Sequence, residues 1–403
     1  MVVAESDSMS SLKIASRRQF VSGLIAGASV YCLTPNLLAG CRVMPKQSSD
    51  ASPETPEGIA VMDQALEILA RTGPEYGVGL SNHGPMAAEA LIRLGRPEAV
   101  IPWVELYKSR SNLQGPPEAR NPISKKEWRG ALGNVSRVGD WIAFFDRELK
   151  EASWRSVLGQ WIPQLAPGLV AAATHGVIRT GHAVRSLAER ETEARRQELA
   201  RGLGYWAARY QPLLISLDRK SMGLKPSQAI NEVKILPVEQ RGTGGLIFDK
   251  LRRLDDFPPF ATVADLVDSS GDASRFVSDL TETFAAVYVA NAQERFTNIH
   301  AVTGPSAIRL LLPYVKPEAA HHLLRYGWQA AAGLYAAFGQ TPVAGLLDGR
   351  AQSKEDLIDR AVATGDEHAI KFTEACLREY ALNPKPVYLS AARHATDARL
   401  RKK

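Results

Sequence analysis

Residues 319–338 read AAHHLLRYGWQAAAGLYAAF, an alanine-rich stretch that is typical of an α-helix. Its apolar residues recur at helical spacing, and Trp328 and Tyr335 fall within it. Segments of alternating apolar and polar residues, the pattern of a half-buried strand, are scarce in the rest of the chain. The sequence therefore predicts an all-α fold. Further helices are predicted at residues 59–70, 138–149, 274–299, 305–315, 354–363 and 366–381.

Two signals indicate where predicted helices begin and end. Pro305 is expected in the first turn of the helix 305–315, a position that proline favours. Thr364 and Gly365 separate the last two helices, because glycine commonly follows a helix end. Residues 212–260 are the least regular part of the chain and could form a long loop over a site. We expect a single large helical-bundle domain over residues 58–403 that contains this irregular insert.

The composition excludes several classes of protein. The chain has 403 residues, of which 45% are hydrophobic and 23% charged, and its net charge is +6. These values are ordinary for a soluble domain and exclude a disordered, collagen-like or polytopic membrane protein. Three cysteines are too few for a disulfide scaffold or a cysteine-rich zinc module. Because no run of five or more Lys or Arg occurs, nucleic acid is not an expected partner.

The motifs of common nucleotide-dependent and hydrolytic enzymes are missing from the chain. It contains no G-x-x-x-x-G-K-[ST] phosphate loop, no H-E-x-x-H and no G-x-S-x-G. The glycines of Gly77-Val78-Gly79 are not followed by a third at the spacing of a dinucleotide fingerprint. A standard NAD enzyme or serine hydrolase is therefore not expected.

The N-terminus carries two export signals in the order that a bacterial lipoprotein requires. Arg17 and Arg18 precede a moderately apolar stretch, which resembles a twin-arginine signal. The sequence LAGC at residues 38–41 resembles a lipobox, in which the chain is cut before Cys41 and the cysteine is acylated. We predict export through the twin-arginine translocon and a membrane-anchored lipoprotein on the periplasmic side of the inner membrane. The predicted segments are a signal peptide over residues 1–40 and a lipid anchor with a flexible linker over residues 41–57.

Four histidines lie beside glycine, proline or helix ends in separate segments of the chain. His83 precedes a helix within SNHGP, His175 follows the apolar residues 169–173, His300 ends the helix 274–299, and His368 begins the helix 366–381. Imidazole suits iron, zinc or copper, so these residues suit a metal site inside a helical bundle. Sequence spacing cannot show that they meet, and ordinary hydrogen-bonded histidines remain the alternative.

Two further residues share a helical face with these histidines. His182 follows His175 by seven residues, although Gly176 and Gly181 weaken the helix between them. Lys371 follows His368 by three residues. A cationic amine is repelled by a metal ion, so Lys371 fits such a site only if it is neutral or modified, and a surface lysine is the alternative.

Four phrases of the sequence resemble the questin oxidase-like family and occur in that family's order. They are GLSNHGPMAAEAL at residues 79–91, ATHGVIRTGH at 173–182, NIHAVTGPSAIRLLLP at 298–313 and GDEHAIKFTEACLREY at 365–380. The resemblance spans roughly residues 58–382. The best-known members of this family are fungal enzymes that oxidatively open anthraquinone-type rings, and they have no evident flavin or nicotinamide site. One branch is an all-helical non-heme iron dioxygenase that holds iron with four histidines and a carboxylated lysine.

The resemblance implies a metal site in this chain. Carried over by motif, the ligands to Fe(II) are His83, His175, His300, His368 and carboxylated Lys371. Asn82 and Asp366 are expected beside the ligands. Fungal relatives tend to carry histidine where Arg179 stands and an aromatic residue where His182 stands, which leaves His182 as an alternative ligand. The substrate pocket is expected to include Trp141, Phe296, Phe372 and Tyr335, although each aromatic residue could instead belong to the core.

Three functions remain open at this point. The first is an iron-dependent oxygenase in which O2 attacks an electron-rich aromatic or quinol substrate. The second is a cofactor-free, Baeyer–Villiger-like oxidase, in which a histidine deprotonates a phenol that then reacts with O2 directly. The third is a non-catalytic, membrane-anchored binding lipoprotein. Metal analysis separates the first from the others, and oxygen uptake with hydroquinones separates the second from the third.

Overall fold

A computed structural model describes residues 55–215, 221–291, 295–340 and 353–400. These residues are mainly helical and contain one two-stranded antiparallel sheet, so the predicted all-α fold is confirmed. The α-helices are α1 Pro56–Leu69, α2 Gly84–Arg93, α3 Pro97–Ser111, α4 Val138–Glu151, α5 Trp154–Leu165, α6 His175–Glu189, α7 Glu193–Ala208, α8 Pro226–Ala229, α9 Ile247–Leu251, α10 Ala273–Ala290, α11 Arg295–Leu311, α12 Pro317–Phe338, α13 Lys354–Thr364, α14 Glu367–Leu382 and α15 Pro386–Leu400.

Shorter elements connect these helices. The two strands are β1 Glu75–Tyr76 and β2 Leu80–Ser81, in which Glu75 pairs with Ser81. The described part of the predicted insert contains α8, α9 and several short turns of helix, and it packs on α10 and α12. The 3-10 helices are Trp128–Ala131, Val135–Arg137, Ala166–Gly168, Ile230–Glu232, Val238–Gln240, Arg252–Asp256, Pro258–Phe260, Val263–Asp265 and Leu312–Tyr314.

The buried apolar side chains form two clusters. The larger cluster is shared by the helices from α4 to α7 and from α10 to α15, and it includes the fully buried Trp141, Trp161, Trp206 and Trp328. Each such indole removes on the order of 200 Å² from water, which contributes about 5 kcal/mol before entropy is counted. The smaller cluster joins α1, α2 and α3. The helix α2 contributes to the smaller cluster on one side and contacts α6 and α14 on the other.

A glycine allows α4 and α7 to approach closely. A methyl group at Gly204 of α7 would lie 2.9 Å from the backbone nitrogen and from a side-chain carbon of Ile142 in α4. Real side chains do not approach backbone atoms so closely, so a larger residue here must push the two helices apart.

Gly204→Ala is therefore expected to lower the free energy of unfolding by about 1–3 kcal/mol, the usual effect of overpacking. Gly159→Ala in α5 is the matched control, because its nearest neighbour is the carbonyl oxygen of Tyr314 at 3.5 Å. That variant is expected to be as stable as the wild type or up to about 1 kcal/mol more stable, since alanine favours helix. Denaturant unfolding measures both values, and equal stability of Gly204→Ala and wild type would contradict the prediction.

The predicted boundary between the helices 354–363 and 366–381 is confirmed. α13 ends at Gly365, whose φ of +61° lies in the left-handed region that glycine adopts without strain. α14 begins directly after Asp366, whose side chain accepts hydrogen bonds from the backbone N–H groups of His368 and Ala369, both at 3.0 Å. This cap fixes the first turn of α14, which carries His368.

The predicted helix 274–299 is wrong, because two helices cover this range. α10 ends where Asn291 leaves helical geometry and its side-chain amide donates to the carbonyl of Val287 at 2.8 Å. α11 begins at Arg295, so His300 lies inside a helix rather than at its end. Pro305 is also inside α11 and not in a first turn, although an interior proline removes one helical hydrogen bond.

Several predictions concern residues that the structure does not describe. Arg17, Arg18 and Cys41 lie outside the described residues, and so does nearly all of the predicted linker. Export, cleavage and acylation therefore stay predictions. Within the described ranges, no helix has both the length and the hydropathy needed to span a bilayer.

Candidate metal centre

Four histidines from separate segments of the chain lie side by side. The ring centre of His83 is 4.6 Å from that of His175 and 4.4 Å from that of His368. The ring centre of His300 is 4.7 Å from that of His175 and 6.0 Å from that of His368. The structure thus brings together the four histidines that the family motifs indicated. They come from the start of α2, the start of α6, α11 and α14.

The position of His83 depends on a tight turn between β2 and α2. The Asn82 amide donates to Thr72 Oγ1 at 2.9 Å and to the carbonyl of Gly73 at 2.8 Å, and its Oδ1 accepts from Gly84 N–H at 2.9 Å. The backbone N–H of His83 donates to the hydroxyl of Tyr107 at 2.8 Å. Asn82 therefore fixes the backbone on both sides of His83.

Two of the other imidazoles are oriented by backbone carbonyls. His175 Nδ1 lies 2.5 Å from the carbonyl oxygen of Ala172, and His300 Nδ1 lies 3.2 Å from that of Thr297. A carbonyl only accepts, so Nδ1 carries the proton in both rings and Nε2 carries the lone pair. This is the arrangement by which proteins commonly fix the tautomer of a metal-binding histidine.

His368 and Lys371 lie one helical turn apart on α14. Both are buried, and the carboxylates of Asp366 and Glu367 each have an oxygen 3.8 Å from His368 Nδ1. Asp366 therefore lies beside His368, and it also caps the helix. The Glu367 carboxylate receives a hydrogen bond from Arg110 at 2.6 Å, which holds it in place.

Burial dominates the electrostatics of the cluster. It lowers the pKa of His83 and His175 well below the usual value and lowers that of His300 to about 4, and the nearby Lys371 amine lowers all three further. Burial also lowers the pKa of Lys371 to about 7, although the negative charges of Glu367 and Asp366 raise it. At neutral pH these three imidazoles are uncharged, and a substantial fraction of the Lys371 amine is also uncharged. Neutral nitrogen atoms are the form that binds metal.

The donor atoms fit a transition-metal ion. His83 Nδ1, His175 Nε2 and His300 Nε2 are buried and have no hydrogen-bond partner. Such buried polar atoms are costly unless something binds them. Donor atoms of His83, His175 and His368 all lie within 4.8 Å of one another, a group that could hold one metal ion after a small inward movement of the rings, and His300 lies outside this closest group. Clustered imidazoles favour iron, zinc or copper over magnesium or calcium.

A cavity of about 260 Å³ lies beside the histidine cluster, and all four imidazoles line it. Its polar lining comes from four residues close to the cluster: Tyr76, Ser81, Asp366 and Glu367. Its apolar lining comes from side chains of the hairpin, α9, α11 and the segment before α6: Leu80, Ala172, Ala173, Leu246, Ile247, Phe248 and Phe296. An apolar cavity of about 150 Å³ holds benzene, so this one has room for about two aromatic rings.

Of the four aromatic residues predicted for the pocket, only Phe296 lines the cavity. Its ring centre is 4.7 Å from that of His368, and the residue is 46% exposed. The pocket assignments of Trp141, Phe372 and Tyr335 are wrong, because these three residues do not line the cavity. Each is buried in the large apolar cluster, where an aromatic residue on the inner face of a helix removes apolar area from water.

His182 lies outside the group of close donor atoms. It is on α6 with His175, and α6 is a continuous helix. Its two glycines allow neighbouring helices to pack closely against it, α7 at Gly176 and α11 at Gly181, and this packing supports the helix. Its Nδ1 is 2.7 Å from Glu89 Oε2, within a buried network that also contains Arg185. The described structure therefore gives His182 a hydrogen-bonding role in the core.

One wall of the cavity is formed by the β1–β2 hairpin and α9, and no sequence motif predicted it. Arg209 joins them: its guanidinium makes two hydrogen bonds of 2.6 Å to Glu75 and lies 4.9 Å from the ring centre of Phe248. The Tyr205 hydroxyl donates to Glu75 at 2.8 Å and accepts from Ser81 at 2.8 Å. No local motif marks these residues, because they meet only in the folded chain.

The fold and the site define a helical protein with a buried cluster of imidazoles beside an open, partly apolar cavity. The model of the questin oxidase-like family matches residues 80–234 and confirms the resemblance found in the sequence motifs. The matched range includes His83 and His175, whereas His300, His368 and Lys371 lie beyond it. A comparison with curated proteins found no match.

Proposed function

We propose that this protein is a non-heme iron oxidase or oxygenase that uses O2 to oxidise or open an electron-rich aromatic ring. The match to the questin oxidase-like family supports an oxidoreductase that acts on small aromatic molecules. The observation that carries the metal dependence is the set of buried, unpartnered nitrogens of His83, His175 and His300 at the edge of the cavity. No flavin or nicotinamide cofactor is needed for this reaction class.

The proposed ligands are His83, His175, His300, His368 and a carboxylated Lys371. Lys371 is buried one turn after His368, and its neutral amine can add to CO2 to give a carbamate and a released proton. The carbamate is anionic and offers a hard oxygen donor, which removes the repulsion between an ammonium group and a metal ion. Bound iron would supply the activation of O2 that the side chains themselves cannot provide.

The residues of the cavity hold the substrate against the metal site. Phe296 and Phe248 line the cavity with aromatic side chains that an aromatic substrate could contact, and the alanines before α6 add apolar surface. Tyr76, Asp366 and Glu367 offer hydrogen-bonding groups on another side, which would orient ring substituents. Removal of water from the ring by this apolar lining strengthens each polar contact within the cavity.

The cofactor-free oxidase receives less support from the site. A histidine that takes a proton from a phenol must be a reasonably strong base. Burial instead lowers the pKa of His300 to about 4 and that of His83 and His175 well below the usual value, so these imidazoles are weak bases. The same uncharged imidazoles are good metal ligands.

Metal analysis of protein purified without a chelator tests the proposal, together with oxygen uptake in the presence of hydroxylated one-ring and two-ring aromatics. We expect stoichiometric iron and iron-dependent oxygen uptake. Loss of a residue that only hydrogen-bonds to a metal ligand typically weakens metal binding by about 10–100-fold. His83→Ala removes a proposed ligand itself, so it should weaken metal binding by more than this. His322→Ala is the matched control, because His322 is exposed on α12 and should change neither quantity.

Protein that binds no transition metal with measurable affinity would refute the proposed iron dependence. Oxygen uptake that persists in such protein would then favour the cofactor-free reaction. If oxygen uptake is also absent but aromatic ligands bind, the non-catalytic binding lipoprotein is favoured.

We also propose export and anchoring, on the basis of the twin-arginine and lipobox patterns. The double variant Arg17→Lys/Arg18→Lys is expected to stay in the cytoplasm, because the translocon recognises the arginine pair. Cys41→Ser is expected to remove the lipid and the membrane association while the folded domain is unchanged. Cell fractionation and mass spectrometry of the N-terminus measure both effects. Unaltered membrane fractionation of Cys41→Ser would refute the lipid anchor.

A further inference from the structure

Three consecutive residues before α6 have a left-handed backbone without any glycine. The φ angles are +48° at Ala172, +56° at Ala173 and +69° at Thr174. A side chain with a Cβ is disfavoured in this region, and single examples are the usual occurrence. Elsewhere in the described chain, Asn112 at the end of α3 is the one other non-glycine residue with positive φ.

The left-handed turn is buried, well packed and adjacent to the metal centre. All three residues are at most 5% exposed, and the two alanines line the cavity. The Thr174 side chain packs against Gly304 of α11, and its hydroxyl donates to the carbonyl of His300 at 3.4 Å. The surrounding helices thus hold the turn in a conformation that the residues themselves disfavour.

The direct effect of this turn falls on His175. The carbonyl oxygen of Ala172 lies 3.2 Å from the backbone nitrogen of His175 and 2.5 Å from its ring Nδ1. One carbonyl therefore holds both the backbone and the ring of the same residue. The ring proton is fixed on Nδ1, and the lone pair on Nε2 is left for the site.

Alanine at these positions has a consequence that glycine would not have. Glycine would relieve the steric cost, but it would also give the turn access to other conformations. Two alanines and a threonine instead exclude many backbone conformations that are open to glycine, and their packed neighbours hold them in the left-handed one.

From these observations we infer that the left-handed turn Ala172–Thr174 is a positioning element for His175. It keeps the Ala172 carbonyl on His175 Nδ1 and so presets the tautomer and the direction of Nε2 before any metal binds. The inference rests on the proposed function for its metal-binding consequence, but the preset tautomer is a property of the metal-free protein.

The test is the double variant Ala172→Gly/Ala173→Gly, with Ala173→Gly as a milder second variant. In metal-free wild-type protein, long-range ¹H–¹⁵N correlation spectra of the histidine rings should show His175 only as the Nδ1–H tautomer. The double variant should show a mixture with the Nε2–H tautomer. Its affinity for Fe(II) should fall by about 10–100-fold, the usual effect of losing the partner that orients a histidine ligand.

Asn112→Gly is the matched control, because it relieves a left-handed residue on the exposed end of α3 and should alter neither the tautomer nor the affinity. Thermal unfolding of each variant checks that the fold is retained. Wild-type tautomer and wild-type Fe(II) affinity in the double variant would overturn the inference. If wild-type protein binds no iron, the proposed function fails, and the tautomer measurement alone still decides the role of the turn.

Discussion

Lys371→Ala is expected to remove most of the proposed metal affinity and, with it, the proposed oxidase activity. In the wild type, burial lowers the pKa of the Lys371 amine to about 7, so under the proposed function the neutral amine would be carboxylated and the carbamate would supply the anionic ligand. Alanine would leave only imidazoles among the proposed ligands, with no anionic donor for a dipositive ion, so affinity should fall by at least about 100-fold. Lys371→Glu should recover part of the binding, because it restores a carboxylate on a shorter side chain.

Metal titration measures the affinity of each variant, and mass spectrometry under non-denaturing conditions detects the added CO2. Bicarbonate in the buffer should increase metal uptake by the wild type and have no effect on either variant. Lys150→Ala serves as the control, because Lys150 is a solvent-exposed residue paired with Asp146. If Lys371→Ala binds iron as tightly as the wild type, Lys371 is not a ligand.

Glu379→Ala is expected to destabilise the protein by about 3–5 kcal/mol without any direct effect on the site. Glu379 of α14 is fully buried, and its carboxylate accepts hydrogen bonds from Arg309 at 2.7 Å and from Ser306 at 2.7 Å, both on α11. Arg378 donates to the same carboxylate at 3.3 Å. Alanine would leave the Arg309 guanidinium, which is only 11% exposed, without its main counter-ion.

Denaturant unfolding of metal-free protein measures this loss. The control is Asp146→Ala, which removes an exposed ion pair with Lys150 and should change the free energy of unfolding by less than about 1 kcal/mol. A loss below about 1 kcal/mol for Glu379→Ala would show that water reaches Arg309 easily, which its burial contradicts.

Helix positions were largely predictable from the sequence, because apolar periodicity and local stop signals are properties of neighbouring residues. The alanine-rich stretch that became α12 and the boundary at Gly365 are examples. The division between α10 and α11 was not predictable in this way. It depends on a hydrogen bond from the Asn291 side chain and on the contact of its Oδ1 with the backbone of Gln340.

The candidate site was predictable in its histidines but not in its surroundings. Family motifs named His83, His175, His300 and His368, yet only the packing of α2, α6, α11 and α14 brings the rings together. The pocket aromatics were mostly wrong, because a helix with apolar residues around much of its surface does not reveal which side faces a cavity. The left-handed turn before α6 has no local sequence signal, since alanine ordinarily prefers right-handed helix.

The origin of the four imidazoles has a consequence for biosynthesis. His83 precedes α2, whereas His368 belongs to α14, near the end of the described residues. A growing chain that has formed only α1 to α7 offers two of these rings, too few to retain a transition metal tightly. Under the proposed function, α11 would supply a third ring, and the complete set of ligands would form only after α14 has been made and has docked against α2. An ion bound in this way would mark a chain whose synthesis had reached α14, and loss of α14 to proteolysis would remove two of the five proposed ligands.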